Sequence, residues 1–88
     1  MENNQSKMNL KEGQALFEEI VELCYETNNP RIIEVVESIY NEAKNAKDLS
    51  ALIISCEELQ VAINEEDILP EEEDNLQEVQ EKIELMSE

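Results

Sequence analysis

The sequence predicts an all-α protein, a small bundle of four short helices, and three observations support this prediction. The 88 residues include one glycine and two prolines, which is few for the turns of a β-sandwich. Charged residues break every apolar run at helical spacing, so each segment has one apolar face. The chain holds only three aromatic residues, so we expect a core built from aliphatic side chains.

The length allows one domain at most. We expect a flexible N-terminal tail over residues 1–8 and a single helical domain over residues 9–88, with helices at about 10–27, 30–46, 49–64 and 71–87. A domain of this size buries only about 60% of the surface of its unfolded chain, so a partner or a second copy would add stability.

The first helix is predicted to begin after Asn9, which can cap it, and Glu12 completes the spacing of a capping box. Its apolar residues fall on one face and its glutamates on the other. Cys24 is on the apolar face of this helix and Cys56 on that of the third, so we expect both to be buried thiols rather than reactive ones.

The motif Asn28-Asn29-Pro30 predicts the first interhelical break. The residue before proline is pushed out of the helical region, Asn29 can cap a new helix, and Pro30 suits its first position. A second break is expected at Asn45–Asp48, where Asp48 can cap the third helix. Because no glycine or proline lies there, one long helix over residues 30–64 is the alternative.

The third helix carries two apolar residues away from its main stripe, Ile54 and Val61, seven positions apart. They indicate either a central helix that packs on two sides within the monomer or an interface with another molecule. The last helix follows an acidic connector and has a narrow apolar seam of coiled-coil type at Leu76, Val79, Ile83 and Met86. This seam covers the edge of the bundle or pairs with another chain, so a homodimer through these six residues is one hypothesis.

The residue types present argue against catalysis, and we predict no enzyme activity, no cofactor and no metal site. The chain has no histidine for acid–base work, and its single glycine cannot make a phosphate-binding loop. Two cysteines without histidine are too few ligands for a structural zinc site. The acidic segments also lack the alternating ligands and central glycine of a calcium-binding loop.

One arrangement of acids has a possible catalytic counterpart. Glu18-Glu19-Ile-Val-Glu22 is followed, after a gap, by Asn45-Ala-Lys-Asp48. This arrangement resembles the all-helical nucleotide pyrophosphatases of the MazG type, which hold magnesium through paired acidic motifs on neighbouring helices. The resemblance implies a magnesium-dependent pyrophosphatase as an alternative function. The chain departs from the pattern at Asn45, where an acid is expected.

The strongest functional signal is the distribution of charge, which totals −17. Residues 1–56 hold ten acids and five bases, whereas residues 57–88 hold thirteen acids and one base, Lys82. Such a field repels nucleic acids and anionic membranes, so we expect neither to be bound directly. A basic protein surface is the natural complement.

We therefore predict a non-catalytic, regulatory or inhibitory interaction module that docks on a basic protein, including a nucleic-acid-binding protein whose phosphate contacts its carboxylates would imitate. The predicted docking residues are the acids along the last two helices and the connector between them: Glu57, Glu58, Glu65, Glu66, Asp67, Glu71, Glu72, Glu73, Asp74, Glu78, Glu81 and Glu84. No apolar stretch approaches the roughly 20 residues that span a bilayer, and we expect a cytoplasmic protein.

Overall fold

The structure, a computed structural model, describes residues 8–66 and 68–87. These residues form four α-helices and no strand: α1 (Leu10–Glu26), α2 (Pro30–Lys44), α3 (Leu49–Glu65) and α4 (Pro70–Ser87). The predicted all-α four-helix bundle is confirmed. Residues 1–7 of the predicted tail lie outside the described residues, whereas Met8 is half-buried and packs against the core.

The helix starts follow from local capping. At α1, the Asn9 backbone N–H donates to Glu12 Oε1 at 3.0 Å and the Glu12 N–H donates to Asn9 Oδ1 at 2.9 Å, which completes the predicted capping box. At α2, Asn29 Oδ1 accepts hydrogen bonds from the backbone N–H groups of the second and third residues of the helix. Asn28 has a φ of 57°, the left-handed conformation that commonly terminates a helix and that asparagine tolerates.

The predicted break between α2 and α3 is present, and the single long helix is excluded. Asn45, with φ −100° and ψ 12°, leaves the helical region at the end of α2. Asp48 is extended, and its Oδ1 accepts from the Ala51 backbone N–H at 2.9 Å. A side-chain cap thus replaces the backbone hydrogen bond that a continuous helix would have made at this point.

Neighbouring helices run antiparallel. The start of α1 meets the end of α2 where Gln14 Nε2 donates to the Lys44 carbonyl at 3.2 Å, and the end of α1 meets the first half of α2 at Tyr25 and Glu37. α4 lies along the other side of α1, and α3 packs between α2 and α4. The four helices therefore form an up-down-up-down bundle with α1 and α3 on one diagonal.

The core is aliphatic apart from Phe17, as expected, and all four helices contribute to it. The buried apolar residues are Phe17, Ile20, Val21, Cys24, Ile32, Val36, Ile39, Ala43, Leu52, Cys56, Leu59, Ile63, Leu76, Val79, Ile83 and Met86. α1 and α3 approach closely at Gly13, where a Cβ atom would lie 2.6 Å from Leu49 Cδ1 and 3.0 Å from Leu52 Cδ2. A larger residue at position 13 would therefore require the ends of these two leucine side chains to shift.

Candidate interaction surface

The acids predicted to bind a partner are mostly on the outside of α3 and α4. Glu66 is half-exposed and Glu72 is buried, whereas Asp67 lies outside the described residues. The remaining nine are exposed: Glu57, Glu58, Glu65, Glu71, Glu73, Asp74, Glu78, Glu81 and Glu84. We call these nine residues the acidic surface. They point outward because the apolar residues of both helices, spaced three and four apart, face the core.

Lys82, the one base between residues 57 and 88, does not offer a free charge on this surface. Its Nζ lies 2.8 Å from Glu19 Oε1 on α1 and 3.7 Å from Glu78 Oε2 on its own helix. The hydrogen bond to Glu19 is the main reason why the pKa of Lys82 is raised. Only 16% of this side chain is exposed. The cation ties α4 to α1 and leaves the other acids of α4 without a neutralising partner among the described residues.

The charge asymmetry seen in the sequence is retained in the bundle. α1, α2 and their connections, over residues 8–48, hold nine acids and four bases. Residues 49–66 and 68–87 hold eleven acids and one base. α1 and α2 also present exposed acids, among them Glu22 and Glu34, so every side of the molecule carries some negative charge. The α3–α4 half is the more negative because bases are almost absent from it.

The prediction that Glu72 belongs to the docking residues is wrong, since the residue is only 5% exposed. Its Oε1 accepts a hydrogen bond from Asn29 Nδ2 at 3.2 Å and another from the Leu69 backbone N–H at 3.3 Å. Glu72 is the third residue of α4 and reaches back to the residue before the helix, as the glutamate of a capping box does. It therefore connects the start of α4 to the start of α2.

The predicted dimer seam on α4 is likewise wrong as an interface. Leu76, Val79, Ile83 and Met86 are each 2% exposed or less and form part of the core of the monomer. A narrow stripe suffices to bury this face of α4 because α1 and α3 both pack against the helix. No surface of this seam remains for another chain.

Ile54 and Val61 behave differently from the seam. They are 62% and 54% exposed, on the side of α3 away from the buried Leu59 and Cys56. The expectation that α3 packs on two sides within the monomer does not apply to this pair, because no other described segment covers it. We call Ile54 and Val61 the α3 ridge.

Both cysteines are fully buried and free, as predicted. Burial raises the pKa of the Cys24 thiol to about 12, with a smaller contribution from Cys56, and burial alone raises that of Cys56 to about 12. A thiol at such a pKa is almost entirely protonated at neutral pH and is a poor nucleophile.

The acids that resemble a pyrophosphatase motif have structural partners in the bundle. Glu18 Oε2 lies 2.8 Å from Lys44 Nζ, Glu19 pairs with Lys82, and Asp48 caps α3. Among the described residues, no group of three or more acids or cysteines lies close enough to hold a metal ion. The two motifs therefore do not converge into one cluster of ligands within that part of the chain.

A shallow groove of about 590 Å³ lies between the end of α3 and the first half of α4. Its lining includes the apolar residues Ile63, Ile68 and Leu76 and the acids Glu66 and Glu73. The groove extends the acidic surface with a partly apolar strip.

Within the described residues, no helix is both long and apolar enough to cross a bilayer.

No protein-family model matches this chain, and neither a curated protein nor a solved structure matches it. The function proposed below therefore rests on the geometry of the described residues.

Proposed function

We propose that this protein is a non-catalytic interaction module, regulatory or inhibitory, that docks on a basic protein surface through the acidic surface of α3 and α4. The observation that carries the proposal is that the exposed acids of α3 and α4 have almost no neutralising bases among the described residues. The only base of residues 57–88, Lys82, is largely buried between Glu19 and Glu78. A cationic partner would relieve the repulsion between the remaining carboxylates.

The energetics favour binding over solubility as the reason for this charge. Like charges three or four residues apart on a helix cost roughly 0.2–0.5 kcal/mol for each pair. Glu78, Glu81 and Glu84 form a run of such neighbours along α4. Mixed charges would keep a small domain soluble without this cost. In its strongest form, the proposal is that the carboxylates imitate phosphates and occupy a nucleic-acid-binding site of the partner.

A cytoplasmic location remains part of the proposal. Two free, buried thiols in a chain of this size suit a reducing compartment, where disulfides are rare.

A lysine-rich peptide without apolar residues tests the electrostatic part of the proposal. Fluorescence anisotropy would measure its binding to the full chain at several NaCl concentrations, and we expect affinity to fall steeply as salt rises. Glu81→Gln with Glu84→Gln should weaken binding roughly two- to tenfold, since an exposed ion pair contributes about 0.2–1 kcal/mol.

The matched control is Glu22→Gln with Glu34→Gln, which removes two exposed carboxylates from α1 and α2. We expect this variant to bind nearly as well as the parent. Salt-insensitive binding, or equal losses from both double variants, would show that α3 and α4 carry no localised docking surface.

A further inference from the structure

The α3 ridge is an exposed apolar feature within the most acidic part of the molecule. Ile54 and Val61 are the two most exposed large apolar side chains among the described residues. Seven residues span almost two helical turns, so the two side chains lie on one face, about 10.5 Å apart along the helix axis. Because no other described segment packs on this pair, it adds nothing to the packing of that part of the monomer.

The charged residues of α3 beside the ridge are all acids. Glu57 and Glu58 are exposed between its two residues, and Glu65 lies one turn beyond Val61. Glu58 is four residues after Ile54 and Glu65 is four residues after Val61, so each apolar side chain has a carboxylate next to it on the same side of the helix. A partner must therefore supply apolar contacts and positive charge together.

A second copy of this chain does not meet that requirement. In an antiparallel pair that placed Ile54 on Val61 of the other copy, the two-fold axis would pass between residues 57 and 58. Glu57 of each copy would then lie opposite Glu58 of the other copy, and a parallel pair in register would place each of these acids opposite its own counterpart. Like charges in direct opposition disfavour both arrangements.

We propose that the α3 ridge binds a basic amphipathic helix of another protein, with two aliphatic side chains seven residues apart and lysine or arginine between and beside them. The aliphatic side chains pack on Ile54 and Val61, while the cations pair with Glu57, Glu58 and Glu65. This inference rests on the proposed function for its charge complementarity and adds the type of partner and its register. Helix-to-helix recognition of this kind depends on apolar anchors at fixed spacing and on flanking charges.

Two synthetic peptides test the inference. Each is a helical peptide of roughly 18 residues, long enough to hold a helix, with the same number of lysines. The anchored peptide has two leucines seven positions apart, and the control peptide has serines there. We expect the anchored peptide to bind the full chain roughly tenfold more tightly. Amide shifts of isotope-labelled protein should centre on Ile54, Glu58 and Val61.

Substitutions locate the contact. Ile54→Ser and Val61→Ser should each weaken the anchored peptide several-fold and leave the control peptide unchanged. Leu85→Ser is the matched control, because Leu85 is 50% exposed but lies on α4. It should leave both affinities unchanged. All three side chains are at least half exposed, so circular dichroism should show that the variants remain folded.

The outcomes separate this inference from the proposed function. If both peptides bind equally and with the same salt dependence, the acidic surface binds cations and the ridge inference is overturned. If neither peptide binds at low salt, the proposed function fails together with the inference. Sedimentation that shows a dimer of the parent, dissociated by Ile54→Ser, would assign the ridge to a second copy and overturn the inference as well.

Discussion

Four consecutive acids open α4, and their side chains have different environments although their positions in the sequence look equivalent. Glu71, Glu73 and Asp74 are exposed, whereas Glu72 is buried beside Asn29. Asn29 caps α2 with its Oδ1 and donates to Glu72 with its Nδ2. One pair of side chains thus satisfies backbone groups at the starts of two helices, which would otherwise be costly to bury.

Removing the acceptor at position 72 should destabilise the bundle. We expect Glu72→Ala to lower the free energy of unfolding by about 1–3 kcal/mol, because the Asn29 amide loses its acceptor in a buried site. Glu72→Gln retains an Oε1 atom, which accepts both hydrogen bonds, and should cost less than about 1 kcal/mol. Urea unfolding followed by circular dichroism would measure both changes.

Glu71→Ala provides the control for that pair, because it removes an exposed acid from the same turn of α4. It should cost only about 0.3–1 kcal/mol, the value of a charge near a helix N-terminus. Should Glu72→Gln lose as much stability as Glu72→Ala, the negative charge rather than the accepting oxygen would be the important property.

The four helices differ in how much of their apolar surface the bundle uses. α4 buries all four seam residues, from Leu76 to Met86, and leaves Leu85 on its outer side. α3 buries its main stripe and leaves the α3 ridge in water. An element can thus satisfy its packing within the monomer and still carry an apolar face with no internal use.

A substitution on each side of α4 tests its packing within the monomer. Leu76→Ala removes a side chain that is 2% exposed and should cost about 2–5 kcal/mol, the usual range for a buried leucine. Leu85→Ala removes the same atoms from a half-exposed position and should cost less than about 1 kcal/mol. Chemical denaturation of both variants at several protein concentrations provides the measurement.

The concentration series separates packing from association. If the seam belongs to the monomer, the stability that Leu76→Ala loses is independent of protein concentration. Equal losses at both positions, or a loss at Leu76 that disappears on dilution, would contradict the packing of α4 described above.

The whole molecule is held together against a large excess of negative charge. The chain carries a net charge of −17, and its described residues form a bundle of 44 × 24 × 19 Å in which only three ion pairs offset the negative charge. Screening becomes effective over about 10 Å at 0.1 M salt, a distance shorter than the bundle. Repulsion between its carboxylates therefore depends strongly on ionic strength.

We expect NaCl to stabilise the protein. Several like-charge neighbours on α4 sum to about 1 kcal/mol, and their screening should raise the melting temperature by roughly 4–8 °C between low salt and 0.5 M. Glu81→Gln with Glu84→Gln should melt higher than the parent at low salt and respond less to NaCl, because carboxylates are unfavourable near a helix C-terminus. Calorimetry would measure both.

A melting temperature that falls with added NaCl would show that attractive ion pairs outweigh the repulsion. This double variant also separates binding from stability. The proposed function expects it to bind a basic peptide more weakly while its stability increases, so weaker binding could not be attributed to unfolding.

The sequence alone was sufficient for the helix count, for the caps at Asn9, Asn29 and Asp48, and for the burial of both cysteines. These features depend on residues close together in the chain: a cap bonds to backbone groups two or three residues away, and an apolar stripe reports its own periodicity. The excess of acids over bases in the last third of the chain is also a property of the sequence.

Only the tertiary structure decided which apolar face is covered and which acid is buried. The α4 seam and the α3 ridge are both apolar patterns on helices, and they differ because α1 and α3 lie against one and nothing described lies against the other. Glu72 turns inward because Asn29, 43 residues earlier in the chain, supplies a donor. Local periodicity does not predict contacts between distant segments, since these contacts depend on how the helices pack together.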